Sequence, residues 1–133
     1  MNNFELQDAC KAEIKRCMGI LEVTFPKVDF GEIHLYWGTD ASMKKVAGRA
    51  TYASNSIELN MSCLIRLGQK FIDETPAHEV AHIAEKRVFG TSGHGSSWAY
   101  ICRLFEARAA RSIRDTNLPI GPNSLGYLQQ AAA

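Results

Sequence analysis

Residues 78–82 carry the feature that most constrains this chain, the pattern His-Glu-x-x-His. Residues four positions apart lie one turn apart on the same face of an α-helix, so His78 and His82 can present ring nitrogens to one point. Glu79 lies about 100° round the helix, near that point but off the shared face. The pattern predicts a metal site with a base beside it, and the alternative is a surface helix with two solvated histidines.

The rest of the composition is that of an ordinary globular chain. With 133 residues, 46% hydrophobic and 22% charged, it suits one domain and excludes a disordered tail or a fibre. A net charge of +1 means that attraction to nucleic acid requires a local patch. No apolar run approaches the roughly 20 residues of a membrane span, and the acidic start is unlike a signal peptide. We therefore expect a cytoplasmic protein with no membrane partner.

The cysteines do not form a metal or redox motif. Cys10, Cys17, Cys63 and Cys102 include no C-x-x-C pair, which argues against a zinc ribbon and a thioredoxin-like site. We expect four free, buried thiols that pack as small apolar groups.

Apolar spacing indicates an α+β fold. Three- and four-residue spacing predicts a helix over 4–21, and strict alternation predicts a strand over 31–38. A weaker strand over 43–52 and a short strand over 57–60 flank turn-forming residues, which predicts a hairpin. Residues 61–70 are ambiguous, and a helical turn that carries Leu64 and Leu67 is one interpretation.

The chemical motif is expected on a helix of its own. Thr75 and Pro76 suit an N-cap and a first helical position, which predicts that the helix begins there and ends at Gly90. A glycine-rich connector follows, and a last helix runs from position 96 or 97 to about Asp115. Its predicted buried face consists of Trp98, Ile101, Cys102, Phe105, Ala109 and Ile113.

A catalytic zinc site usually has three protein ligands, and the His-Glu-x-x-His pattern supplies only two of them. His94 lies between Gly93 and Gly95, which let the backbone turn tightly toward a metal. Glu106 on the last helix is the rival, but it lies about 80° off the apolar stripe. His34 falls on the polar side of its strand and is expected at the surface. We expect His94 to be the third ligand.

Four segments in order make the chain resemble the SprT-like metallopeptidases. They are Ala-Gly-Arg-Ala-Thr-Tyr at 47–52, Ile-Glu-Leu-Asn at 57–60, His-Glu-Val-Ala-His at 78–82 and His-Gly-Ser-Ser-Trp at 94–98. The family includes the Spartan proteases, which degrade proteins covalently trapped on DNA. The motifs span 43–113, roughly the larger part of the chain.

The resemblance implies a zincin-like metallopeptidase domain, in which a small β-sheet packs against the H-E-x-x-H helix and flanking helices. It implies one zinc ion per chain, with His78, His82 and His94 as ligands and Glu79 as the catalytic base. We expect a single such domain over 1–115, followed by a tail with prolines and glycines.

The chain departs from many relatives at that tail. Residues 116–133 contain no cysteines, so we expect a minimal form without the C-terminal zinc ribbon. DNA contacts made through such extra modules do not carry over.

The function implied by the resemblance is zinc-dependent endopeptidase activity on protein substrates, including proteins bound or crosslinked to DNA. The alternative is a zinc-containing nucleic-acid- or protein-binding module without turnover. Glu79 argues for the enzyme, because a structural metal site needs no base beside it. The oligomeric state stays open.

Three further features carry alternatives. Arg103, Arg111 and Arg114 fall opposite the apolar stripe of the last helix, with Arg108 flanking, which predicts either a DNA-contacting face or a solvated surface. The strand at 57–60 is either an edge strand that pairs with substrate or an internal strand. Tyr52 supplies either a phenol near the cleft or a core side chain.

Overall fold

The computed structural model describes residues 1–113, with side chains described through residue 106, and shows an α+β arrangement. Its elements are α1 (Asn3–Thr24), β1 (His34–Gly38), α2 (Asp40–Met43), β2 (Gly48–Thr51), β3 (Ser56–Asn60), α3 (Met61–Leu67), α4 (Gln69–Phe89) and α5 (Ser96–Ile113). The predictions of the first helix, the first strand and the start of the last helix are confirmed. The predicted end of the last helix, at about Asp115, lies outside the described residues.

The three strands form one mixed sheet in the order β1-β3-β2. β3 is parallel to β1, with Leu35 opposite Ile57, and antiparallel to β2, with Ala50 opposite Ile57. The predicted hairpin is therefore confirmed, and the interpretation of 57–60 as an edge strand is wrong. Most of β3 is buried, including Leu59, because neighbours cover it on both sides. Within the described residues β2 pairs with β3 alone, so β2 is an edge strand.

The expected strand over 43–52 is wrong in its first part. Thr39 caps the short helix α2 by accepting from the backbone N–H of Ser42. Lys44 and Lys45 then adopt positive φ angles of 51° and 65°, which end the helix and turn the chain. Regular strand geometry begins only at Gly48.

The helix that carries the motif begins earlier than the sequence indicates. α4 starts at Gln69, so Pro76 lies inside it, and Thr75 is buried in mid-helix instead of capping an end. An internal proline costs a helix about 3 kcal/mol. Burial of Phe71 and Ile72 offsets that cost, since each fully buried side chain contributes roughly 1.5–3 kcal/mol. The predicted end at Gly90 is confirmed, with φ at 73° and its N–H bonded to the Lys86 carbonyl.

α4 is the central element of the fold. α1 and α5 pack against it, and β2 and β3 cover another side. Burial is therefore nearly continuous from Phe71 to Glu85, and it includes the polar residues of the motif. The four cysteines are buried and free, as predicted. Among the described residues, no helix combines the length and the apolar character that a membrane span requires.

Candidate metal centre

Three histidine side chains converge beside the middle of α4. His78 and His82 lie one turn apart on that helix, with their Nε2 atoms 3.2 Å apart. The Nε2 atom of His94, from the connector before α5, lies 3.1 Å from that of His82 and 3.2 Å from that of His78. The structure thus brings together the three histidines that the sequence analysis selected.

The connector between α4 and α5 delivers His94 to this point. Gly90 ends α4 in the left-handed conformation, and Gly93 has a φ of 122°, a region that side-chain-bearing residues rarely adopt. These two glycines reverse the chain within a few residues, so that His94 faces the helix it has just left. His94 is exposed whereas His78 and His82 are buried, so the cluster opens to solvent on the His94 side.

The geometry of the three nitrogens fits a zinc ion. Zinc–nitrogen bonds of roughly 2.0–2.1 Å in a tetrahedral site place ligand nitrogens about 3.3–3.4 Å apart. The observed separations of 3.1–3.2 Å come close to that spacing. Three protein ligands leave the fourth position of such a site open, which is the arrangement of catalytic zinc sites.

Burial also sets the protonation state that a metal needs. It lowers the pKa of His78 to about 3, with further lowering by His82 and His94. It lowers the pKa of His82 to about 4, with a smaller effect of His94. Both rings are therefore neutral at pH 7, and the neutral imidazole is the form that binds metal.

Glu79 places a carboxylate against the same cluster. Its side chain is 2% exposed, its Oε2 atom lies 3.8 Å from Nε2 of His78, and that oxygen has no hydrogen-bond partner among the described residues. Burial raises the pKa of Glu79 to about 8. A buried, unpartnered oxygen next to three converging nitrogens suits a site that holds a cation and a water molecule.

β2 approaches α4 closely at Gly48. A Cβ atom at this position would lie 2.9 Å from Cγ and 3.0 Å from Oε2 of Glu79. Only glycine leaves the Glu79 side chain its place between strand and helix. The sequence did not predict a role for Gly48 at the site. The available signal was a glycine inside a predicted strand, which often marks the close approach of another part of the molecule.

Trp98 forms the inner wall of the cluster. Its ring centroid lies 4.9 Å from those of His78 and His94 and 5.7 Å from that of His82. Its indole N–H donates to the backbone carbonyl of His78 at 3.4 Å. The sequence predicted that Trp98 is buried but not that it packs against all three imidazoles. This packing restricts the ring orientations and keeps bulk water from the inner side.

The other candidates lie elsewhere. Within the described residues the three histidines form the cluster, and Glu106 is not a member of it. His34 is exposed on β1, as expected. Tyr52 is half-buried at the end of β2, where burial, then Glu85 and Glu79, raise the pKa of its phenol. Its side chain also packs against the core.

The arginine face is described only in part. Arg103 is exposed on α5. Arg108 and Arg111 belong to α5, but their side chains lie outside the described residues, as does all of Arg114. The DNA-contacting face stays a prediction.

Comparison with known proteins agrees with the motifs. A model of the SprT-like family matches residues 14–120. Protein SprT of Proteus mirabilis is 42% identical over 57 residues, which cover 42% of this chain and 34% of the relative. Protein SprT of Vibrio atlanticus is 35% identical over 78 residues, covering 56% and 47%. Protein SprT of Yersinia enterocolitica is 31% identical over 110 residues, covering 76% and 60%.

These matches span between a third and three fifths of the curated relatives' own length. No solved structure matches the chain significantly. The family model nevertheless covers most of the sequence, including the helix with the two histidines and the connector with the third. The chain therefore belongs to the SprT-like family.

Proposed function

We propose that this protein is a zinc-dependent endopeptidase with a zincin-like domain, acting in the cytoplasm on protein substrates. Proteins bound or crosslinked to DNA are the candidate substrates. The observation that carries the proposal is the convergence of three Nε2 atoms within 3.2 Å, with the unpartnered Glu79 carboxylate 3.8 Å from one of them.

His78, His82 and His94 would hold one zinc ion. When bound, zinc supplies Lewis acidity toward a carbonyl group and toward water. Glu79 acts as the general base: it accepts a proton from the attacking water and later donates it to the departing amine. Its position supports this role, because a general base must lie within reach of the water it deprotonates, and Glu79 is buried 3.8 Å from His78.

The free edge of β2 is suited to holding the substrate. An extended peptide can add to an exposed sheet edge through main-chain hydrogen bonds. β2 contacts Glu79 through Gly48, so a peptide paired along this edge would pass beside the base. This assigns to β2 the substrate-pairing role that the sequence offered to residues 57–60.

A binding module without turnover is the weaker candidate. Structural zinc sites are usually closed by four protein ligands. Here three ligands converge within the described residues, and Glu79, which is not required to hold the metal, is buried next to them. Burying a carboxyl group without a hydrogen bond costs stability, which is understandable when the group is needed for chemistry.

The test is hydrolysis by zinc-loaded protein of free casein and of a protein crosslinked to DNA. The matched control is Glu79→Gln, which keeps the size of the side chain and removes the base. We expect the variant to keep its zinc and its fold, and to lose roughly 10²–10⁴-fold in turnover. Equal digestion by the two proteins would show that Glu79 is not the base. Faster cleavage of the crosslinked protein than of casein would support the DNA-associated substrates.

A further inference from the structure

A cavity of about 450 Å³ lies on α4, and its lining includes Ile83, the residue that follows His82. It is lined by Tyr52, Ala53, Ile83, Lys86 and Arg87. Ile83 directly follows His82 and is buried, so it forms an apolar floor together with the half-buried ring of Tyr52. The cavity is therefore apolar at its base and carries two cations.

The two cations have no acidic partner in the part of the chain that the structure describes. Lys86 and Arg87 are exposed, and neither forms an ion pair with a carboxylate of the described residues. None of the lining residues is acidic. The cavity thus offers two positive charges above an apolar floor, which is complementary to an aliphatic side chain that ends in a carboxylate.

Arg87 is held in place by a buried residue. Its Nη2 atom donates to Oδ1 of Asn55 at 3.0 Å. The Nδ2 atom of Asn55 in turn donates to the carbonyls of Phe30 at 3.0 Å and Glu32 at 2.6 Å. One guanidinium nitrogen is therefore anchored, and the others stay available to a ligand. The Nζ atom of Lys86, by contrast, donates to the Gly90 carbonyl at 3.4 Å. Its positive charge also interacts favourably with the C-terminal end of the α4 helix dipole.

The cavity lies along the path expected for a substrate. β2 runs from Gly48, beside Glu79, to Thr51, and Tyr52 and Ala53 follow at the cavity. Along α4, Lys86 is about 10 Å from Glu79, at 1.5 Å per residue. An extended chain advances about 3.3 Å per residue, so a substrate paired with β2 reaches the cavity about three residues from the cleaved bond.

We propose that this cavity is a specificity subsite, which takes the side chain of a substrate Asp or Glu about three residues from the cleaved bond. The inference rests on the proposed peptidase function. Lys86 and Arg87 bind the carboxylate, and Ile83 and Tyr52 contact its aliphatic stem. The site selects among peptide segments by charge and leaves the chemistry at Glu79 unchanged.

The test uses peptides with one Glu placed at successive positions around a fixed cleavage site, each paired with its Gln analogue. With zinc-loaded protein, we expect kcat/KM about tenfold higher for Glu than for Gln at one position about three residues away. Lys86→Gln combined with Arg87→Gln should reduce this ratio to about one, and Gln at 87 keeps a donor for Asn55. Lys11→Gln combined with Lys15→Gln, on exposed α1 positions away from the cavity, should keep the tenfold ratio.

A charge reversal separates recognition from a general loss of structure. Lys86→Glu combined with Arg87→Glu should invert the preference, so that a Lys-containing peptide becomes the better substrate. The subsite is wrong if wild-type protein cleaves the Glu and Gln peptides equally at every position. It is equally wrong if the double Gln variant keeps the preference.

A binding measurement keeps the subsite testable if no peptide is cleaved, an outcome that would count against the proposed function alone. Fluorescence anisotropy of labelled peptides on zinc-loaded Glu79→Gln should show about tenfold tighter binding of the Glu peptide than of the Gln peptide, and equal binding would overturn the subsite. If replacing Lys86 and Arg87 weakens binding of single-stranded DNA and leaves the peptide preference intact, the cavity contacts phosphates and the peptide subsite is wrong.

Discussion

At the scale of single residues, burial acts in opposite directions on the ionisable groups of the site. The pKa of Glu79 rises to about 8 and those of His78 and His82 fall to about 3 and 4. Each shift disfavours a charged form that the unfolded chain carries at some pH. These shifts lower the free energy of unfolding of the metal-free protein at the pH values where the unfolded chain is charged. They leave uncharged groups around the candidate metal position.

The first prediction concerns Glu79 in metal-free protein. Its pKa is about 4.5 unfolded and about 8 folded, so its contribution to stability is complete below pH 4.5 and is lost as pH rises to 8. Relative to Glu79→Gln, the wild type should lose several kcal/mol of unfolding free energy over that range, at about 1.36 kcal/mol per pKa unit. Urea unfolding at pH 5 and pH 8.5 measures the difference.

His78 and His82 have the opposite pH dependence, because their contribution to stability is lost as pH falls from 6.5 toward their folded pKa values. The wild type and Glu79→Gln share both histidines, so this effect cancels when the two proteins are compared. Parallel stability curves for the two proteins would contradict the buried environment of Glu79.

The second prediction separates the two candidate third ligands. His94→Ala should lower zinc affinity by roughly 100-fold or more, because one of three converging nitrogens is removed. Glu106→Ala should stay within about twofold of the wild type, since Glu106 is not part of the cluster. Competition with a chelator at one free-zinc level measures both. The reverse result would show that the ligand set is wrong, and circular dichroism of the metal-free variants shows whether either change acts through folding.

Local spacing in the sequence was enough to predict which residues of α4 lie at the candidate site. The helical period alone places His78 and His82 at one point with Glu79 beside it. His94 required the glycines that flank it, because its approach depends on a chain reversal. Gly48 and Trp98 were missed as parts of the site, since their importance comes from contacts between elements that the sequence does not make adjacent.

At the scale of elements, the contact between β2 and α4 positions Glu79, the base in the proposed reaction. Gly48 allows the strand backbone to lie against the side chain of Glu79, with no room for a Cβ atom. The same strand offers the sheet edge that we assign to the substrate. A change in the spacing of these two elements should therefore affect turnover before it affects metal binding.

The third prediction tests that contact. Gly48→Ala should displace the Glu79 carboxylate, cost about 1–3 kcal/mol of stability through overpacking, and lower turnover at least about tenfold. Zinc affinity should change little, because the three atoms nearest to the added Cβ all belong to Glu79 and none to a histidine. Gly19→Ala on α1 is the control, since a Cβ atom there meets nothing within 4 Å. Full activity of Gly48→Ala would contradict the close approach.

The start of α4 shows why element boundaries were harder to predict than the elements. Thr75 and Pro76 form a sound local signal for a helix start. Tertiary burial overrides this local signal, because Phe71 and Ile72 pack into the core as part of a helix that begins upstream of the proline. The central position of β3 could not be predicted from the sequence either, since strand order is set by packing between distant segments.

At the scale of the whole molecule, a net charge of +1 gives no general attraction to DNA, so binding would require a local patch, and the arginines of the last helix are the predicted candidate. The fourth prediction is that replacing Arg103, Arg111 and Arg114 with Ala flattens the salt dependence of duplex DNA binding. The slope should fall by about 0.9 for each phosphate that the variant no longer neutralises. Ala at Lys11 and Lys15 on α1 is the control. An unchanged slope in the triple variant would identify the face as ordinary solvated surface.

Family membership was also predictable from the sequence, because it rests on short motifs in a fixed order that the family model recovers over 14–120. The proposed substrate preference was not, because the residues on which we base it come from separate elements. The cavity on α4 combines the two residues that follow β2 with residues of α4. The sequence alone does not show that Tyr52 and Ile83 lie beneath the charges of Lys86 and Arg87.

A zinc titration of metal-free protein, with casein hydrolysis measured at each step, tests whether the three histidines form a catalytic zinc site. We expect no hydrolysis without metal, a linear rise, and a plateau at one zinc ion per chain, as one three-histidine site requires. Hydrolysis that is independent of zinc, or full zinc binding with no hydrolysis of casein or of a DNA-crosslinked protein, would contradict this expectation.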